Sequence, residues 1–131
     1  MSNNTKLQTI SAPAGRVFLA TIFFMSGLSK ISGYAGTQGY MEAMGVPGML
    51  LPLVIALEVL GGLAIILGWK TKLVALALAG FSLVSAIIFH ADFSDQMQMG
   101  MFMKNVAIAG GFLMLFAQGP GAYSLDNRLK N

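Results

Sequence analysis

The chain has 131 residues, of which 56% are hydrophobic and only 10% are charged. Because soluble domains carry about 25% charged residues, this composition excludes an ordinary soluble globule and indicates an integral membrane protein. The sequence has no cysteine, which excludes disulfides, thiolate nucleophiles and iron–sulfur clusters. The net charge of +3 comes from basic residues beside apolar stretches, an arrangement that does not favour nucleic acid as a partner.

Four apolar stretches predict transmembrane helices at about residues 12–31, 49–69, 73–90 and 101–118. A hydrocarbon core about 30 Å thick needs about 20 apolar residues per helix, so four spans leave no room for a separate soluble domain. The predicted fold is all-α, a single membrane domain over residues 1–131 built as a four-helix bundle. A cleaved signal peptide is the less favoured interpretation of the first stretch, in which Lys6 and Arg16 precede the apolar run.

The connections between these stretches predict one additional helix and one tight hairpin. Residues 32–48 include Tyr34, Tyr40 and Met44 and close with the turn signal Pro47-Gly48. A short amphipathic helix in the membrane interface is the expected form of this segment. The second and third stretches are separated by a very short linker around Trp69, a residue that suits an interfacial anchor, so these two helices are expected to form an antiparallel hairpin.

Orientation is predicted from lysine and arginine, which are in excess on the cytoplasmic side of inner membrane proteins. One side of the predicted bundle holds six basic residues, and the other holds only Lys30 and Lys104. The six are Lys6, Arg16, Lys70, Lys72, Arg128 and Lys130. We therefore expect both termini and the Trp69 turn in the cytoplasm, with the protein in a bacterial inner (plasma) membrane.

Glu58 is the clearest candidate functional residue, since a charge at mid-membrane costs at least ~2.5 to 3.5 kcal/mol. It lies near the middle of the second predicted span, and Gly61 and Gly62 follow it by three and four residues, on the same helix face. Its carboxylate is therefore expected to point into the bundle, toward a basic partner. A purely structural ion pair is the alternative.

Candidate partners of Glu58 lie in the outward halves of the other spans: Lys30, His90, Lys104 and Asn105. Lys104 is the favoured partner, because its depth from the outer surface is the most similar. Arg16, fourteen residues before Lys30, is a further candidate for the bundle interior. For the basic residues, the alternative is a side chain that extends from a helix end to the lipid head groups.

Metal chemistry receives little support from the sequence. His90 is the only histidine, which excludes a bis-histidine haem within one chain but leaves a hydrogen-bonding or proton-carrying role, or a helix-capping one. Met97, Met99, Met101 and Met103 alternate toward the fourth span. Thioethers favour Cu(I), but methionine is also a flexible apolar filler, so no metal site is predicted.

Six short segments occur in an order and spacing that together are specific for one family. They are Arg16–Ile31 (RVFLATIFFMSGLSKI), Gly33–Pro47 (GYAGTQGYMEAMGVP), Glu58–Gly68 (EVLGGLAIILG), Phe89-His90, Phe102–Asn105 (FMKN) and Gly119–Asp126 (GPGAYSLD). In these segments, which span nearly the whole chain, the sequence resembles the DoxX family of small bacterial membrane proteins, most closely its YqjF-like inner membrane members. The resemblance implies a four-helix inner membrane bundle with a redox association, because the family is named for its similarity to membrane subunits of thiosulfate:quinone oxidoreductase.

If that association applies, the expected ligand is a quinone head group. Lysine, arginine and asparagine side chains of the candidate set would donate hydrogen bonds to its carbonyl oxygens, and Glu58 or His90 would exchange protons. No haem, iron–sulfur or flavin motif accompanies them, so an accessory subunit for a redox protein partner is expected rather than a complete enzyme. A proton or ion pathway and a structural or assembly role are the alternatives, and helices rich in small residues are compatible with a homo-oligomer.

Overall fold

The computed structural model describes residues 3–130, and every regular element in this part of the chain is helical. Four long helices are accompanied by two short ones and a single 3-10 turn. The elements are α1 (Asn3–Ser32), α2 (Tyr34–Ala43), the 3-10 turn (Gly48–Leu50), α3 (Leu51–Leu67), α4 (Thr71–Phe89), α5 (Gln96–Gln118) and α6 (Leu125–Leu129). The all-α prediction is confirmed, and so is the short helix between the first two spans.

The described residues contain four helical segments long and apolar enough to cross a membrane: Lys6–Ser32, Gly48–Leu67, Thr71–Phe89 and Gln96–Gln118. Large apolar side chains cover the outside of the bundle, such as Phe18 and Met114, which are 80% and 69% exposed. A soluble protein rarely exposes so much contiguous apolar surface. The chain is therefore a multi-pass membrane protein.

Two helices begin earlier than their apolar stretches. Helix α1 begins at Asn3 rather than near residue 12, and α5 begins at Gln96 rather than near residue 101. At α5, the carboxylate of Asp95 accepts a hydrogen bond from the backbone N–H of Met97 at 3.0 Å and so caps the helix within a polar segment. Hydropathy identifies the membrane-embedded part of a helix, whereas capping determines where the helix starts.

The long helices form two antiparallel pairs. Helix α1 packs along α3, and α4 packs along α5, while α3 and α4 join the pairs and α1 touches α5 only slightly. The buried core between the pairs is made mainly of small and aromatic side chains: Ala20, Phe23, Ile65, Ala75, Leu78, Ala79, Ala109 and Phe112. The ring of Phe23 meets that of Phe112 edge to face, with centroids 5.4 Å apart.

Glycines allow α1 and α3 to approach closely. A Cβ atom at Gly27 would lie 2.5 Å from Cγ2 of Val59, and one at Gly62 would lie 3.0 Å from the backbone nitrogen of Phe24. Gly61 instead faces α4, where its nearest neighbour is Leu78. The expectation that Gly61 and Gly62 share one face is therefore wrong, because consecutive helical residues are separated by about 100°.

The turn between α3 and α4 confirms the predicted hairpin. Gly68 ends α3 in the left-handed conformation, with φ of +73°, and Lys70 follows with φ of +48°. We call this end of the bundle the Trp69 end and the opposite end the His90 end. Residues 119–130 fold back against the Trp69 end, where the backbone N–H of Asp126 donates to the carbonyl of Gly68 at 2.8 Å.

The close approach of α1 and α3 can be tested at Gly27. We expect Gly27→Ala to lower the free energy of unfolding in detergent by about 1–3 kcal/mol, because the added methyl group overpacks the contact with Val59. The matched control is Gly80→Ala on α4, where a Cβ atom meets nothing within 4 Å. Equal stabilities of the two variants in thermal unfolding would contradict this packing.

Candidate functional site

The carboxylate of Glu58 forms an ion pair with Lys30 inside the bundle. Glu58 is the eighth residue of α3, and its side chain is only 5% exposed. Its Oε1 lies 2.8 Å from Nζ of Lys30 on α1. The same Nζ donates to Oγ of Ser26, one turn earlier on α1, at 2.7 Å. Ser26 therefore helps to hold the ammonium group against the carboxylate.

The expected pairing of Glu58 with Lys104 is wrong. Lys104 lies on α5, which packs against α4, whereas Gly27 brings α1 into close contact with α3 beside Glu58. Lys30 follows Gly27 by three residues and so lies on nearly the same face of α1. Similar depth is not sufficient for an ion pair, because the packing of the helices decides which side chains meet.

A cavity of about 190 Å³ lies between the two helix pairs, toward the His90 end. Five of the six polar candidates line it, and together they come from all four long helices or their ends: Lys30, Glu58, His90, Lys104 and Asn105. The apolar part of the wall includes Phe23 and Phe81. The structure thus brings most of the candidate polar residues around one cavity.

Backbone and side-chain contacts orient two of these residues. The amide nitrogen of Asn105 donates to the carbonyl of Ser82 on α4 at 3.3 Å, which links the two helices of the pair. Nδ1 of His90 lies 3.1 Å from Oε1 of Gln98, so this nitrogen carries the proton when the amide oxygen accepts. In that tautomer, Nε2 of His90 is free to accept a proton.

A second and more apolar cavity of about 380 Å³ adjoins the first. It lies between α2, α3 and α4, and Lys30, Glu58 and His90 line both cavities. The ring of Tyr40 on α2 stacks on that of Phe89 beside this space, with centroids 5.4 Å apart. The short helix α2 therefore forms one wall of an apolar extension of the polar cavity.

The sequence analysis did not single out the serines that line the cavity. Ser26, Ser82 and Ser85 contribute hydroxyl groups to its wall. Ser82 is 2% exposed, and its hydroxyl donates to the carbonyl of Leu78 on the same helix at 2.8 Å. The spacing of Ser82 and Ser85 on α4 was the available signal, since residues three apart share a helix face.

Arg16 lies at the other end of the bundle and does not join the cavity. It is 2% exposed, and its Nη1 donates to the carbonyls of Ile65 and Ile66 at 3.1 and 3.2 Å. Its Nη2 donates to the carbonyl of Tyr123. Two of these acceptors are carbonyls in the last turn of α3, where a cation is favourable. Arg16 therefore joins α1, α3 and the C-terminal segment.

Asp126 caps the first turn of α4 from the C-terminal segment. Its two carboxylate oxygens accept hydrogen bonds from the backbone N–H groups of Lys70, at 2.6 Å, and Thr71, at 2.8 Å. Partial burial raises the pKa of Asp126, but these hydrogen bonds and the charge of Lys70 outweigh it, and the pKa lies below its ordinary value. The folded protein thus stabilises the ionised carboxylate.

The Lys30–Glu58 pair predicts a non-additive mutational response. Lys30→Met leaves a buried carboxylate unpaired and is expected to cost ~3–5 kcal/mol of unfolding free energy. The double variant Lys30→Met/Glu58→Leu should lose much less than the two single variants together, because no unpaired charge remains. Unfolding of all four proteins in detergent measures the coupling, and additive losses would show that the side chains act independently.

The capping of α4 by Asp126 predicts that removing this carboxylate lowers the stability of the protein in a pH-dependent way. Asp126→Ala should lower stability by about 1 kcal/mol near neutral pH. Because folding lowers the pKa of Asp126, the stabilisation is present above the unfolded value of about 3.9 and is lost as pH falls through the folded value. The difference from the wild type should therefore shrink below about pH 4. Asp92→Ala removes an equal charge that caps no helix, and it should not reproduce this dependence.

Comparisons with known proteins agree with this architecture. The family model described as DoxX matches residues 12–91. Inner membrane protein YqjF of Escherichia coli (strain K12) is 52% identical over 124 residues, which are 95% of each protein. Inner membrane protein YphA of the same organism is 38% identical over 120 residues, 86% of each.

A further relative carries a name that suggests an activity. The protein named Putative oxidoreductase CatD, of Bacillus subtilis (strain 168), is 36% identical over 73 residues, which are 56% of this chain and 54% of the relative. No solved structure matches the chain. The family match covers more than half of the chain and the similarity to YqjF nearly all of it. The chain therefore belongs to the DoxX family and is a bacterial inner membrane protein.

Proposed function

We propose that this protein binds the head group of a membrane quinone in the polar cavity between its helix pairs, as an accessory subunit of a redox system. The observation that carries the proposal is the convergence of Lys30, Glu58, His90, Lys104 and Asn105 on one cavity whose wall also includes apolar side chains. Ligand sites commonly combine apolar walls with a few polar groups that fix orientation. Polar groups inside a membrane bundle also indicate function by default.

The chemistry of the wall suits a flat ring with two opposed carbonyl oxygens. Lys104 and Lys30 carry ammonium donors, and the rings of Phe23 and Phe81 offer apolar contact to the ring faces. The adjoining apolar cavity beside Tyr40 and Phe89 offers space for the start of a hydrocarbon tail. The two cavities together thus match an amphiphile with a polar head and an apolar tail.

Proton exchange with such a ligand is assigned to groups that line both cavities. The carboxylate of Glu58 lies against the ammonium of Lys30, and the imidazole of His90 lines the same two cavities. The sequence carries no cysteine and no dinucleotide-binding glycine motif. A redox partner protein is therefore proposed as the source of electrons, and the name of the CatD relative is consistent with an oxidoreductase system.

The test is direct binding of a short-chain ubiquinone or menaquinone to the purified protein in detergent. We expect saturable micromolar binding by equilibrium dialysis. Glu58→Gln should abolish it, because the Glu58 carboxylate holds the ammonium of Lys30 in place in the cavity wall. Ser85→Leu should abolish it by filling the space that both cavities share. The matched control is Glu42→Gln on α2, a residue outside both cavity walls.

Thermal unfolding of each variant separates lost binding from lost folding. Binding that persists in a folded Ser85→Leu variant would contradict the proposed location. A folded wild-type protein that binds neither quinone would overturn the function itself. In that case, proton uptake by sealed proteoliposomes would support the ion pathway, and its absence would leave the assembly role.

A further inference from the structure

The polar cavity holds more positive than negative charge. Its ionisable wall residues are Lys30 from α1, Glu58 from α3, His90 after α4 and Lys104 from α5. Only Glu58 is acidic, and its carboxylate is already paired with Lys30. With His90 neutral, the formal charge of the lined space is one positive unit, carried by Lys104.

Lys104 has no partner among the residues that the structure describes. No carboxylate of residues 3–130 approaches its ammonium within 4.0 Å, and it donates no hydrogen bond there. It is the ninth residue of α5 and the fourth of the apolar stretch that is predicted to begin near residue 101. An unpaired cation within an apolar membrane span is unfavourable. The side chain is exposed at the edge of the cavity, where an entering ligand would meet it.

We propose that the ligand of this cavity binds as an anion whose negative charge lies on an oxygen attached to its aromatic ring. The ammonium group of Lys104 forms an ion pair with that oxygen. This inference rests on the proposed function and specifies the ligand further, as an ionised hydroxyquinone or hydroquinone rather than a neutral quinone. Lys104, the cation of the cavity that Glu58 does not pair with, gains a partner only when such an anion is present. The aromatic walls formed by Phe23 and Phe81 favour a planar phenolate or enolate over a small hydrated anion.

The experiment compares two ligands that differ mainly in charge. At pH 7.5, 2-hydroxy-1,4-naphthoquinone is ionised, whereas 2-methoxy-1,4-naphthoquinone is neutral and of similar shape. We expect the wild-type protein to bind the ionised compound about tenfold more tightly, equivalent to about 1.4 kcal/mol. Lys104→Met should reduce that preference to about one. Lys104→Arg should retain it because the charge remains.

The matched control is Lys72→Met, which removes a lysine from α4 at the Trp69 end, away from the cavity. It should leave the tenfold preference intact. If Lys72→Met reduces the preference as much as Lys104→Met, the effect is general electrostatic attraction and the assignment of Lys104 is overturned. If Lys104→Met weakens both ligands equally, or neither, Lys104 serves the lipid interface or the fold, and the inference also fails.

The remaining outcomes separate this inference from the proposed function. If the wild type binds the two compounds equally, the inference that the ligand is an anion is wrong, and the proposed quinone site is unaffected. Absence of binding for both in a folded protein would overturn both proposals. Chloride and sulfate test for a small-anion site. If either raises the thermal unfolding temperature of the wild type as much as the naphthoquinone anion does, and not that of Lys104→Met, the cavity binds small anions and the inference of an aromatic anion fails.

Discussion

A carboxylate in the middle of an apolar helix must be neutralised within the protein, since lipid offers it neither water nor a counter-ion. In this bundle, Lys30 meets that requirement across the contact between α1 and α3. The contact is possible because Gly27 removes the side chain that would otherwise separate the helices beside Glu58. Packing and charge compensation are therefore one constraint here, and the position of α1 relative to α3 follows from both.

The separation of the bundle into two helix pairs explains why a cavity lies between them. Within each pair, small residues and interlocking side chains allow close contact, while α1 and α5 barely touch. The side chains of Phe23 and Phe112 fill the centre of the bundle, and toward the His90 end polar side chains line the gap instead. Polar side chains are unfavourable on the outer surface of the bundle, because that surface faces lipid. They therefore lie around the space inside it.

Much of the fold could be predicted from local sequence, because hydropathy, turn residues and span length are properties of short segments. The four spans, the hairpin at Trp69 and the helix that contains Tyr40 were all predictable in this way. The sequence also placed Lys30, Glu58 and Lys104 at similar depths, which is why they line one cavity. It could not identify the partner of Glu58 or the carbonyl acceptors of Arg16, because these depend on which helix faces pack together.

The contact between Arg16 and Tyr123 joins residues 107 positions apart in the sequence, and this separation has a consequence for biosynthesis. A nascent chain whose first span has already entered the membrane still lacks the acceptor that its arginine finally uses. Burial of that guanidinium is complete only after the last span and the segment behind it have been made. Maturation of the first helix is thus one of the final events in assembly, and a chain truncated before Tyr123 would retain an incompletely satisfied cation.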